Sequence, residues 1–222
     1  MESGGVQFFF EFTERDLLIL AEGAKLTLII SSLAIVGGTI LGGLFGWLLS
    51  IGGRVGAITL GWVLDIFRSV PPIVQLVLFV NFFPIIGFPL DAAEAGTLVL
   101  MMYCSALVAQ VARAGIEAVP KTTRWAGRSL GMSYWQDLRY VVLPIGLRAV
   151  LPSWTGVALG VLKDSALVSV LKAGELMQVS QEMITRTQQP FLILGIAGLF
   201  YFALSFPIAR LTEHLERRWQ HD

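Results

Sequence analysis

The chain has 222 residues, of which 55% are hydrophobic and 14% charged, with a mean hydropathy of +0.72. Soluble domains carry about 25% charge, so a water-soluble fold is excluded and a lipid bilayer is the natural solvent for this much apolar surface. Lys plus Arg and Asp plus Glu balance at 16 each, which leaves no basic excess for nucleic acid, and the lone Cys104 excludes an intrachain disulfide.

The opening residues include Glu2, Glu11, Glu14 and Asp16 where a secretory signal would be basic and then apolar, so no signal peptide is expected. A membrane-crossing helix needs about 20 mostly apolar residues. The first such run extends from Ala24 to Ile51 and stops at Gly52-Gly53-Arg54. Within it Gly38, Gly42 and Gly46 recur every fourth residue, a spacing that admits another helix closely, from the same subunit or a second one. The second run, Val55 to Phe83, is interrupted by Arg68, Pro71 and Pro72. Each proline removes an N–H, and Pro71 pushes Val70 out of the helical region, so a break or kink is expected there. The third run is Ala95 to Val111. The fourth begins after Pro144 and reaches Leu171, with Lys163 and Asp164 inside it and a second glycine pair at Gly156 and Gly160. The fifth is Phe191 to Leu211. The expected fold class is all-α: one polytopic transmembrane domain over residues 1–222, with about five spans and a short helix pair in its central loop.

Orientation follows from the basic residues. With the N-terminus outside, the inner segments hold Arg54, then Arg113, Lys121, Arg124, Arg128, Arg139 and Arg148, then Arg210, Arg217 and Arg218. The outer segments hold Arg15, Lys25, Lys172 and Arg186. An N-out, C-in chain is expected, with the Arg113–Tyr140 loop in the cytoplasm.

That loop reads as two short helices. Thr122 or Thr123 is expected to cap the first and Gly131 to end it in the left-handed conformation. Ser133 with Gln136 forms a capping box for the second, and Pro144 marks its end or a kink. Trp125, Leu130, Met132, Tyr134 and Trp135 are large groups for so short a segment. They serve either as a docking surface for a partner or as an anchor folded back on the membrane interface.

Gly127-Arg128-Ser129-Leu130-Gly131 matches the nucleophile pattern G-x-S-x-G. A membrane-embedded serine hydrolase would also need a base, and the only histidines are His214 and His221, in the tail. One cysteine and two tail histidines build no metal cluster, and the chain has no phosphate-binding loop of its own. An ion channel is a further alternative, since it too places polar groups among spans.

Arg113-Ala114-Gly115-Ile116, Val119-Pro120-Lys121, Leu130-Gly131 and Leu143-Pro144 resemble, in order and spacing, the cytoplasmic coupling loop of ABC importer permeases of the polar amino acid branch. The likeness extends to Glu22-Gly23 with Thr27, to Phe67-Arg68-Ser69-Val70-Pro71 with Gln75-Leu76, and to Leu162 through Ser169. It continues through Glu175-Leu176, Gln181-Glu182, Arg186-Thr187 and Tyr201 to Leu215-Glu216-Arg217-Arg218. Trp125 replaces the family's Glu and Gly127 its second Ala. The resemblance implies a multi-pass bacterial inner-membrane permease without cofactor or catalytic residues of its own. ATP and Mg would be bound by a partner ATPase dimer docked on the coupling loop (about 113–143) through Lys121, Trp125, Ala126, Leu130, Gly131 and Met132. A second permease, the same or a sister chain, would complete the pathway, and an extracytoplasmic solute-binding protein would deliver a polar amino acid. Polar groups inside spans are costly and face protein, water or cargo, which makes Arg68, Gln75, Lys163, Asp164, Ser165 and Ser169 the pathway candidates. Asn81 is a weaker one. Glu182 is either a contact for the binding protein or a solvated charge. Arg68 either meets a cargo carboxylate or hydrogen-bonds the broken backbone at Pro71, and Asp164 either meets a cargo amino group or pairs within the fold.

Overall fold

The structure, a computed structural model, describes residues 12–220; Glu2, Glu11 and His221 lie outside them. Among the described residues the regular structure is helical throughout.

Helix α1 (Glu14–Ile51) starts ten residues before the apolar run. Hydropathy marks where a helix can enter lipid, whereas the helix itself begins where its end is capped. Here the Thr13 N–H donates to the Asp16 carboxylate at 2.9 Å, and Glu14 and Asp16 complement the positive end of the helix dipole. Helix α4 (Ala92–Ala118) is capped likewise: Asp91 accepts from the Glu94 N–H at 2.7 Å, and Glu94 accepts from the Asp91 N–H at 3.2 Å. The glycine stripe of α1 lies directly on α4. A Cβ at Gly38 would stand 2.6 Å from Cys104 Cβ, one at Gly42 2.6 Å from Val108 Cβ, and one at Gly46 2.6 Å from the Ala109 carbonyl oxygen. The stripe therefore serves packing within the subunit. Gly156 and Gly160 have nothing within 4 Å of a built Cβ. The core grows outward from the α1–α4 seam: Ile30, Ala34, Leu76, Leu100, Cys104, Val161, Leu162 and Val168 form one buried cluster.

The second run is two helices, α2 (Gly53–Ser69) and α3 (Pro72–Ile85), bent by 104°. This is far more than a kink, because consecutive prolines remove consecutive donors. Pro71 has no N–H for the Phe67 carbonyl, and Gln75 takes its place: Nε2 donates to Phe67 O and Val70 O, each at 2.7 Å. The structure thus has four helices long and apolar enough to cross a membrane, or five spans if the bent pair counts as one.

Helix α5 (Lys121–Ser129) and helix α6 (Tyr134–Asp137) occupy the central loop. Of the two outcomes expected at Pro144, an end or a kink, the end does not occur. Helix α6 runs through a π turn (Leu138–Val142) directly into α7 (Leu143–Asp164), so the second loop helix and the fourth span are continuous. A proline crowds the carbonyl four residues earlier, and the wider π turn lies where that crowding falls. Helix α7 tightens into a 3₁₀ segment (Ser165–Leu171), closed by Lys172 at φ +58°. An amphipathic α8 (Leu176–Thr187) precedes α9 (Pro190–Gln220), which carries Pro207 inside it.

Candidate functional site

The loop between α4 and α7 is built as a rigid hairpin. Helix α5 is not capped by Thr122 or Thr123, which lie inside its first turn. Pro120 precedes it, and the Pro120 carbonyl accepts from Thr123 N–H and Arg124 N–H at 3.1 and 3.3 Å. Proline's fixed φ sets the entry without a side-chain cap. The other end is as expected. Gly131 stands at φ +85°, its N–H donates to Arg128 O at 3.0 Å, and Met132 N–H donates to Gly127 O at 3.2 Å. This paired closure needs a left-handed residue, hence glycine. The Ser133–Gln136 capping box forms too: Ser133 N–H donates to Gln136 Oε1 at 2.7 Å, and Gln136 N–H donates to Ser133 Oγ at 3.4 Å.

Two contacts hold the hairpin shut. Arg124 Nε and Nη2 donate to Asp137 Oδ2 at 3.0 and 2.9 Å, and Asp137 is fully buried. Trp47 Nε1 of α1 donates to the Tyr134 hydroxyl at 3.0 Å, while the Arg128 guanidinium lies 5.8 Å from the Tyr134 ring centre. The sequence reading missed the Arg124–Asp137 pair. Its signal is that Asp137 and Glu117 are the loop's only carboxylates amid many cations. With the hairpin fixed, Trp125, Leu130 and Trp135 remain 65, 86 and 65% exposed, and Lys121 and Ala126 are exposed beside them. Met132 instead folds inward over Gly127, where a Cβ would lie 2.9 Å from its sulfur. Ser129 Oγ donates to the Trp125 carbonyl at 3.0 Å, so the serine of the G-x-S-x-G match ends a helix. Histidine 214 lies on α9, lining a shallow cavity with Arg210, Glu213 and Arg217, and a hydrolase is not favoured.

The polar residues inside the spans divide by what they touch. Gln75 is buried and satisfies the broken backbone, the task the sequence reading offered to Arg68. Arg68 is instead exposed and pairs with Asp65 at 2.8 Å. Ser165 is fully buried, and its hydroxyl donates to the Leu162 carbonyl at 2.6 Å, where α7 tightens. Asn81 donates to the Val77 carbonyl of its own helix at 2.7 Å. Lys163 is exposed and Asp164 half-buried, and neither side chain has a hydrogen-bond or ion-pair partner among the described residues. Ser169 is half-buried on the 3₁₀ segment.

At the opposite end of the bundle α8 is latched onto α1 and α9. Glu175, fully buried, caps α8 by accepting from Met177 and Gln178 N–H, each at 2.8 Å, and it also accepts from Thr27 Oγ1 at 3.4 Å and the Tyr201 hydroxyl at 3.3 Å. Leu176 N–H donates to Thr27 Oγ1 at 3.1 Å, and a Cβ on Gly23 would stand 3.0 Å from Leu176 Cα. Arg186 pairs with the buried Asp16. Glu182 hydrogen-bonds Gln178 on the exposed side of α8 at 2.8 Å. Among the described residues no group of three His, Cys, Asp or Glu side chains is placed to hold a metal ion.

The family of binding-protein-dependent transport system inner membrane components matches residues 27–221. The chain is 32% identical over 203 residues to the glutamine transport system permease protein of Escherichia coli, covering 90% of this chain and 92% of that one. It is 28% identical over 189 residues to the L-cystine transport system permease protein of Bacillus subtilis, covering 81% of each. Its fold superposes on the crystal structure of an amino acid ABC transporter with histidines at a TM-score of 0.81, with 27% identity over 94% of this chain and 100% of the other. An inward-facing methionine ABC transporter shares the fold at a TM-score of 0.76 and 22% identity, over 91% of this chain and 99% of that one. A fixed hairpin presenting apolar groups, a bent pair of half-spans and the match over nearly all of its length agree: the chain belongs to the binding-protein-dependent inner membrane components and is a multi-pass permease subunit of an ABC importer.

Proposed function

We propose that this permease, acting as one transmembrane domain, carries a polar amino acid across the bacterial inner membrane with its N-terminus outside and its coupling loop in the cytoplasm. A second permease, the same or a sister chain, pairs with it; the open stripe at Gly156 and Gly160 supports such a contact on α7. An ATPase dimer, which binds ATP and Mg and supplies the hydrolysis energy, docks on the hairpin through Trp125, Leu130 and the exposed residues around them. A binding protein delivers cargo from the outer side, where α8 presents Glu182. Within the spans Asp164 and Lys163 receive the amino acid's charged ends, and Ser169 and Arg68 contribute to the same pathway. Asp164 suits an α-amino group, because an unpaired carboxylate in a span is stabilised by a cation brought to it.

The observation that carries this reading is the hairpin. Its ion pair, capping box and glycine closure fix its shape, yet its largest apolar groups face outward, as a surface made to be covered does. Gly131→Asp is the test, in vesicles containing the permease with its ATPase and binding protein. A side chain at φ +85° costs about 1 kcal/mol or more and changes the surface that meets the ATPase. Uptake is expected to be lost, with hydrolysis uncoupled or the ATPase released in a pull-down. Uptake at the unmutated rate would sink the docking model. Sidedness is tested separately by thiol labelling of Thr123→Cys in intact cells, where labelling from outside would overturn the orientation.

A further inference from the structure

Two cavities meet at the coupling-loop end of the bundle. One, of about 190 Å³, is apolar and lies between Gly43 and Trp47 of α1, Ala112 of α4, and Val142, Leu147 and Val150 of the π turn and α7. The other, of about 530 Å³, is lined by Ser50, Arg113, Glu117, Lys121, Arg124 and Tyr134. Ile116 and Leu138 are walls of both. At the seam, Trp47 from the apolar side donates to the hydroxyl of Tyr134 on the polar side, at 3.0 Å.

The charges of the polar cavity do not cancel. Three cations line it against one carboxylate. Arg113 pairs with that carboxylate, Glu117, at 2.7 Å, and Arg124 with Asp137 behind the wall at 2.9 Å. Lys121 has no partner among the described residues. A free phosphate would engage the cations and make no use of the groove. A neutral lipid would use the groove and gain nothing from the cations. The joined pair fits one molecule with an anionic head and an apolar chain. Its Trp and Tyr sit at the junction, where such rings favour the headgroup level of a bilayer.

We propose that these joined cavities hold one anionic phospholipid, its phosphate among Lys121, Arg113 and Arg124 and one acyl chain between Gly43 and Val150. The site requires that this end of the bundle lie at a membrane surface, whichever side that is; it shares Lys121 with the outer face of the hairpin and is therefore tested on the chain without its ATPase.

The chain is reconstituted in vesicles of equal phosphatidylglycerol and phosphatidylcholine with matched acyl chains, extracted in mild detergent, and weighed by native mass spectrometry. One retained lipid is expected, with phosphatidylglycerol favoured by about fivefold for each cation that engages it. Arg113→Gln with Lys121→Gln should lower the ratio to about fivefold, the share left to Arg124. Gly43→Leu should lower retention of both lipids; a Cβ there meets nothing within 4 Å, so the fold has room for its first atom. Leu147→Asp, at a position 57% exposed, tests the groove independently should Gly43→Leu fail to fold. Equal retention of the two lipids by the unmutated chain overturns the proposal. So does an undiminished preference in the double variant, full retention in both groove variants, or displacement by soluble glycerol phosphate, which would make it a site for free phosphate.

Discussion

Along α1, Gly38, Gly42 and Gly46 face α4 so closely that a Cβ at each would overlap the neighbour at 2.6 Å; along α7, Gly156 and Gly160, at the same spacing, have open space where a Cβ would point. The sequence pattern is the same in both places and the outcome is opposite. A small residue every fourth position says that a helix can come close; it does not say whose helix. The first stripe is closed by the chain's own α4 and is part of its core. The second has no helix of this chain against it among the described residues, and the proposed pairing with a second permease would use it.

Gly42→Leu should have the largest effect. The obstructing atoms include the Ser105 carbonyl oxygen, 2.7 Å from the added Cβ, which is backbone and cannot swing away. Overpacking costs about 1–3 kcal/mol when side chains can adjust, and this site lacks that freedom. Little folded protein should be recovered in size-exclusion chromatography, and a normal yield would show that the α1–α4 seam is looser than drawn. Gly156→Leu should do the reverse. Its monomer should melt within a few degrees of the unmutated chain while pairing, followed by cross-linking in the membrane, weakens about tenfold. A large drop in melting temperature would place that stripe inside the subunit.

Asp164→Asn sharpens the same contrast for polar groups, between residues closed by the chain and residues left open. Gln75 and Ser165 have partners inside the chain, whereas Asp164 has none among the described residues. The variant should assemble normally and slow uptake at low cargo concentration by about tenfold, equivalent to about 1.4 kcal/mol; unchanged affinity and rate would remove Asp164 from the pathway. The smallest effect is expected for Gly127→Ala. The new methyl crowds the Met132 sulfur at 2.9 Å, the flexible part of a side chain, and meets Val141 at an ordinary 3.9 Å, so stability should change by no more than about 0.5 kcal/mol and uptake by less than twofold. A larger loss would mean that Met132 must lie where it does for coupling.

Local chemistry was legible in the sequence wherever one residue type decides one conformation. Gly131, the Ser133–Gln136 box and the Pro71–Pro72 break are such places. Long-range pairings were not. Nothing in the vicinity of Glu175 announces Thr27 and Tyr201, because those partners arrive only when α1 and α9 pack beside it. Arg68 and Gln75 exchanged expected tasks for a geometric reason. The carbonyl freed by Pro71 lies back toward Phe67, within reach of a side chain one turn into α3, while Arg68 turns to the carboxylate one turn behind it on α2. The family resemblance carried the function, and the exposure of Trp125, Leu130 and Trp135 is what either reading of the loop, a docking surface or a membrane-interface anchor, requires.

The continuity of α6, the π turn and α7 makes the hairpin and the fourth span a single lever. From Tyr134 to Asp164 it runs roughly 45 Å at 1.5 Å per residue. One degree of tilt imposed at the hairpin then moves the far end by roughly 0.8 Å, on that same length. Asp164 and the tightened segment after it lie at the far end, where the displacement is greatest. A few degrees of rocking by the ATPase would move them by the width of a water molecule, with no intervening loop to absorb the stroke.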